Sequence, residues 1–255
     1  MGFIDTHAHL HFPDYDQDRA DVMRRASEAG LETFINVGTD LESSRKCLEL
    51  AKAHDNIYAS AGVHPHDAKD ADEAVIAEIR KLFSEKKMVA VGEVGLDFFR
   101  DHSPHEKQKE VLRAFVRLAR EVGRPLIIHC RDAYEDLAQL FAEEGGAPYR
   151  GVIHCFSSDA PRMKRLLDLG FYISFAGPLT YKKNDELRDA CRQCPKDRLL
   201  LETDAPFLPP QSVRGKRNEP AYMLETAGVA AGLHSLSVQA LGEQTTANAK
   251  ALFSL

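Results

Sequence analysis

FIDTHAHLHF, residues 3–12, opens as an apolar strand and ends in three imidazoles, His7, His9 and His11, behind Asp5. Successive strand residues point to opposite faces, so positions i and i+2 share one. That predicts His7 and His9 on a common face with Asp5 a step below. Ile4, Ala8 and Leu10 are then expected on the other face, against helices. An open doubly wound sheet usually places a glycine-rich phosphate loop after its first strand. Histidines in that place favour a closed barrel, whose chemistry sits at the C-terminal ends of the strands.

The rest of the chain repeats the theme. Short β-rich runs stand at FIDTHAHL, ETFINVG, IYASAGVHP, MVAVGEVGLD, PLIIHCRD, GVIHCFS, FYISFAGP and RLLLETDAP. Between them, residues 16–29, 41–54, 71–86, 105–122, 132–144, 159–168 and 182–192 show apolar positions at helical spacing, and 221–232 and 235–253 follow the last run. Eight strand–helix alternations imply parallel strands joined by crossover helices. The expected fold is therefore α/β, a (β/α)8 TIM barrel of the metal-dependent hydrolase type. The 255 residues are expected to form a single domain, residues 1–255, since such barrels run to about 250 residues.

Composition narrows the function. A net charge of −6 argues against a broad basic surface wrapping duplex DNA, but bound cations could still serve a local anionic substrate. No apolar run reaches the roughly 20 residues of a membrane helix, and no basic and apolar leader precedes the first strand. MGFIDT fits a myristoylation pattern, yet Gly2 leads straight into a buried strand. Five cysteines, an odd number, suggest a reducing, cytoplasmic setting. The pair Cys191 and Cys194 lacks the second pair or nearby histidines that a zinc site would need.

The strand ends carry the chemistry. Glu93 ends the fourth run, His129 the fifth, His154 the sixth and Asp204 the eighth. Cys130 and Cys155 follow two of these and are expected to face the helix layer. Four histidines and two carboxylates converging on one small volume would be costly without a compensating cation. Six ligand side chains exceed one tetrahedral site and suit two divalent ions bridged by a carboxylate. Glu93 is the expected bridge, with His7, His9 and Asp204 on one ion and His129 and His154 on the other.

The matching pieces FIDTHAHLHF, GVHPH, VGEVGLDFF, PLIIHCRDA, GVIHCFS, SFAGPLT, LLLETDAPFLPP and RGKRNEP, across residues 3–220, resemble the TatD family of metal-dependent deoxyribonucleases, within the wider amidohydrolase-type barrels. The resemblance implies a TIM barrel, a divalent-metal centre at His7, His9, Glu93, His129, His154 and Asp204, and hydrolysis of phosphodiester bonds in DNA. It also suggests magnesium or manganese in work, with zinc possible as bound. TatD-like proteins include apparent D-aminoacyl-tRNA deacylases, so ester or amide hydrolysis on the same centre is the alternative.

Roles follow from chemistry. Asp204 and Glu93 are the expected catalytic residues, Asp204 also accepting a proton from water that the metals activate to hydroxide. His64 could contact a phosphate oxygen or a metal water, or simply cap a strand before Pro65. Arg131 could fork a phosphate or pair with a carboxylate, Asp97 among them. Glu202 is grouped with the substrate-facing residues and could instead orient a ligand from behind. Arg214, Lys216 and Arg217 form a basic loop that either meets substrate or is merely solvated. His11 and His66 are expected at the rim. The expected partner is a short single-stranded DNA end, with no membrane and no obligate protein partner.

Overall fold

A computed structural model describes residues 2–255; Met1, the first residue of the MGFIDT stretch, lies outside them. Strands β1 (Phe3–Ala8), β2 (Leu31–Val37), β3 (Ile57–Ala61), β4 (Met88–Asp97), β5 (Leu126–Arg131), β6 (Gly151–Ile153), β7 (Tyr172–Phe175) and β8 (Leu199–Leu201) pair in chain order, each parallel to the next. Helices α1 (Arg19–Glu28), α2 (Leu41–Ala53), α3 (Glu73–Leu82), α4 (His105–Val122), α5 (Tyr134–Glu144), α6 (Ala160–Asp168) and α7 (Asp185–Gln193) fall between successive strands. After β8 come α8 (Met223–Leu233) and α9 (Val238–Phe253). A parallel bridge between Ala8 and Ala205 joins the end of β1 to the segment after β8, so the sheet nearly closes on itself. The expected TIM barrel is the observed fold.

Local signals place the helices. Asp40 and Ser43 satisfy each other's backbone N–H groups at the start of α2, a reciprocal cap. Helix α4 buries Val111, Leu112, Phe115, Val116 and Ala119 on one stripe and ends at Gly123, whose φ of 66° suits a residue without Cβ. Among the described residues no helix is long and apolar enough to cross a membrane. Gly2 is buried, and its carbonyl accepts a hydrogen bond from Thr246.

Two apolar cores divide along the sheet. The larger packs helices against the outer face. The smaller draws Ile4, Ile35, Ala90, Ile127, Val152 and Leu200 from six strands and adds Ala249, Leu252 and Phe253 from α9. Only the barrel interior lets so many strands reach one cluster. Ile4 therefore faces inward, not toward the helices as alternation predicted; Ala8 and Leu10 do lie in the outer core. The reason is a register shift in β1: Asp5 pairs with Phe34 and Ala8 with Asn36, so three steps on β1 match two on β2. This bulge breaks parity and still delivers His7 and His9 to the cavity.

Candidate metal centre

The six expected ligands meet at the C-terminal end of the barrel: His7 and His129 in the last residues of β1 and β5, His9, His154 and Asp204 just beyond β1, β6 and β8. Glu93 does not end its strand as expected, because β4 runs on four residues to Asp97. His7 Nε2 and His9 Nε2 approach within 3.3 Å, and Asp204 Oδ1 stands 3.6 Å and 3.5 Å from them. Across the cavity His129 Nδ1 and His154 Nε2 are 3.3 Å apart. Glu93 lies between the two groups and divides its oxygens. Its Oε2 is 3.3 Å from His7 Nε2, while Oε1 is 2.9 Å from His129 Nδ1 and 2.8 Å from His154 Nε2. His64, beyond the end of β3, brings Nε2 to 3.5 Å from that same Oε1 and so stands closer to the cluster than a rim contact.

Backbone geometry makes this convergence. At Gly95 a side chain would run into the His129 carbonyl, so glycine lets β4 press against β5 with Glu93 and Asp97 beside His129. Cys155 and Asp204 hold left-handed φ values of 43° and 56°. Such residues cost about 1–3 kcal/mol each and persist only where their surroundings hold them. Here the Cys155 N–H donates to Glu202 Oε1 at 2.8 Å and the Asp204 N–H to the His7 carbonyl at 2.9 Å.

The far nitrogen of three rings is fixed. His9 Nδ1 donates to the Val37 carbonyl at 2.8 Å, which can only accept. His129 Nε2 sits 3.1 Å from Asp97 Oδ2, and His154 Nδ1 3.1 Å from Glu202 Oε1. Each bond places the ring proton outward, so the neutral ring aims its lone pair into the cluster. Paired lone pairs only 3.3 Å apart beside carboxylates fit cations, and these nitrogen and oxygen donors suit zinc, manganese or magnesium.

The electrostatics carry the same mark. Burial disfavours a charged His154, but Glu93 and Glu202 overcome it and hold its pKa well above the usual value. His9 and His129 are also raised against burial, by Asp204 and Asp97 respectively, with Glu93 adding to both. His7 is pushed down by burial and by neighbouring His154, and His64 by burial. Glu93 and Asp204 are held low against burial by the imidazoles around them. Protons on the histidines thus balance the carboxylates, a positive charge that divalent cations could supply instead.

Several sequence expectations need correction. Asp97 does not pair with Arg131; it bonds His129 and His66, whose Nε2 is 3.0 Å away. Arg131 instead lies over the Phe99 ring at 3.8 Å. Glu202 is not placed to meet substrate but is fully buried behind His154, the alternative expected of it, orienting a ligand from behind. Cys130 is in the outer core, but Cys155 turns toward the cleft, because its left-handed φ breaks strand alternation. Arg217 is engaged by Asp18, and the exposed Arg214 and Lys216 do not line the cleft. Asp5 stays out of the cluster, accepting from Thr203 Oγ1, the Thr203 N–H and the His7 N–H. His11 turns away toward Asn36 and Cys47 on α2, whereas His66 reaches the cleft. Cys191 and Cys194 are buried free thiols in the helix layer. Shared parity with Glu93 places Asp97 at the site but does not name its partner, His129.

A cleft of about 670 Å3 opens over the cluster, lined also by Arg100, Arg131, Phe12 and Phe207. Residues 4–254 match the family model described as TatD related DNase. The chain is 42% identical to the uncharacterised metal-dependent hydrolase YabD of Bacillus subtilis, over 98% of both chains. It is 35% identical to the 3'-5' ssDNA/RNA exonuclease TatD of Erwinia tasmaniensis, over 99% of this chain and 100% of that one. The crystal structure of the TatD homologue YjjV from Escherichia coli K12 superposes with a TM-score of 0.93 at 30% identity, covering 99% and 98%.

Proposed function

The chain belongs to the TatD-related DNase family and is a metal-dependent hydrolase, and from that premise we propose that it cuts phosphodiester bonds at single-stranded DNA ends, using two divalent cations. The division of Glu93 is the observation that carries the reading: each carboxylate oxygen faces a separate nitrogen group. His7, His9, Asp204 and Glu93 Oε2 would hold one cation, and His129, His154 and Glu93 Oε1 the other. Magnesium or manganese is proposed for the working enzyme, with zinc as a possible bound ion. When bound, the cations supply Lewis-acid stabilisation of phosphate charge and acidify water toward a nucleophile.

The protein's own residues do the rest. Asp204 Oδ1 is already oriented by its backbone bond to His7 and by His9, so it is placed to take a proton at the cluster. His64 faces the same volume and can hold a phosphate oxygen. Arg131, which lines the cleft with its fork over Phe99, offers a second phosphate contact. Glu202 and Asp97 keep His154 and His129 aimed inward. The names of relatives support a 3'-to-5' single-strand exonuclease, acting on RNA as well as DNA. Five free cysteines support work in a reducing cytoplasm.

The test is product analysis. End-labelled single-stranded oligonucleotides, duplexes and D-aminoacyl-tRNA are incubated with magnesium, manganese or zinc, beside Asp204→Asn. Stepwise shortening of single strands is expected, with turnover of the variant reduced about 10²- to 10⁴-fold and its fold kept. Cleavage of the aminoacyl ester alone would transfer the proposal to a deacylase.

A further inference from the structure

We infer that the wall of the cleft over β1 and β8 is a base-stacking pocket, with the Phe207 ring as its platform, seating a nucleobase beside the bond being cut. The inference rests on the nuclease reading above and adds to it a residue that grips the substrate.

Among the described residues, the exposed large hydrophobic side chains are Phe99 at 53%, Phe207 at 50%, Val238 and Leu208. Phe207 and Leu208 line the cleft. Leaving apolar rings in water beside an ionic cluster forgoes burial, and such a patch marks a contact surface. The Phe207 backbone is tied down. Its N–H donates to the Asp204 carbonyl at 2.8 Å, and its own carbonyl accepts from Asn218 Nδ2 at 2.7 Å. Its ring meets Phe12 edge-to-face at 5.9 Å and His9 at 5.9 Å, and Phe12 stacks on His9 at 4.8 Å. A half-exposed ring is thereby held within one residue contact of a proposed ligand, on the same short segment as Asp204.

The opposite wall differs in kind. In a barrel ordered β1 to β8, strands β4 and β5 lie across from β1 and β8. There Arg131 covers Phe99 at 3.8 Å and Arg100 lies 5.3 Å from the same ring. Both arginines line the cleft. One wall carries the Phe207 and Phe12 rings, with no cation over them among the described residues, the other carries two arginines lying against the Phe99 ring, and the carboxylate–histidine cluster lies between them. A nucleotide has this same division, an aromatic base on one side of a charged backbone. A simple phosphate or a small ester would leave the aromatic wall unused.

A chemical double-mutant cycle tests it. The wild-type enzyme, Phe207→Ala and Phe207→Tyr are assayed on single-stranded oligonucleotides. In the modified strands, one nucleotide flanking the scissile bond carries a tetrahydrofuran spacer in place of its sugar and base. At one flanking position, base removal is expected to lower wild-type kcat/KM roughly ten- to hundredfold, the range for a stacked base. Phe207→Ala is expected to lose as much on the intact strand and nothing further on the spacer strand, while Phe207→Tyr keeps the wild-type pattern. Equal losses by Phe207→Ala on intact and spacer strands at both positions, with unchanged thermal melting, would overturn the stacking role and leave the nuclease reading intact. Failure of the wild-type enzyme to cut any strand with any metal overturns both. If Phe207→Ala melts early, Phe207→Leu replaces it in the same cycle, where the same pattern supports the stacking role and the same equal losses overturn it.

Discussion

Glu202→Gln removes one negative charge from behind the cluster and almost no volume, so it isolates what the carboxylate does for His154. Glu202 Oε1 accepts two hydrogen bonds, from His154 Nδ1 at 3.1 Å and from the Cys155 N–H at 2.8 Å. Bonds to an ionised acceptor are roughly twice as strong as neutral ones, about 2 kcal/mol against about 1. Halving the His154 bond loses about 1 kcal/mol, or roughly fivefold in metal affinity, while halving the Cys155 bond, which is the same with or without a cation, costs stability. The new amide NH2 would also fall where Glu202 Oε2 has no hydrogen-bond partner, so thermal stability should drop as well. The assay is calorimetric titration with manganese, resolved into two binding steps. One step is expected to weaken about fivefold while the other keeps its affinity. Asp97→Asn, acting through His129, should weaken that same step, and Asp204→Asn the other. If Glu202→Gln weakens both steps equally, or neither, the division of the cluster into two cation groups is wrong.

Two further outcomes are expected away from the cluster. Replacing Arg214 and Lys216 together by alanine should change kcat/KM on a short single strand little, because neither lines the cleft, whereas Arg131→Ala should raise KM. His234 caps the end of α8, and burial holds its pKa below 6.5. The folded protein then binds fewer protons here than the unfolded chain. Stability from this residue is present above pH 6.5 and is lost as pH falls through the lower folded value. Urea unfolding from neutral pH downward should show that loss, and His234→Asn should flatten it.

Much of the site was legible because ionisable residues stand where apolar runs stop. At His129, His154 and Asp204 the chain passes from β-branched and leucine residues to polar groups, and a barrel sends all such ends to one rim. Parity alone failed where the backbone departs from an ideal strand. Ile4 went to the interior because β1 carries an extra residue relative to β2, a fact of pairing between segments distant in sequence. Cys155 turned toward the cleft because a buried Glu202, 47 residues on, holds its N–H in a left-handed turn. Arg131 and Asp97 share a face, yet His129 and His66 offer Asp97 nearer partners, and Arg131 finds Phe99. Charge in a loop says little about reach: Arg217 is consumed by a fork on Asp18, while Arg214 rests over Tyr181.

Crystals of the protein soaked in manganese, with anomalous diffraction recorded, put the claim about Glu93 to its plainest test. Two peaks about 3.5–4 Å apart are expected, one bonded to each oxygen of that carboxylate. A single peak held by both oxygens, or peaks that leave Glu93 uncoordinated, would contradict it.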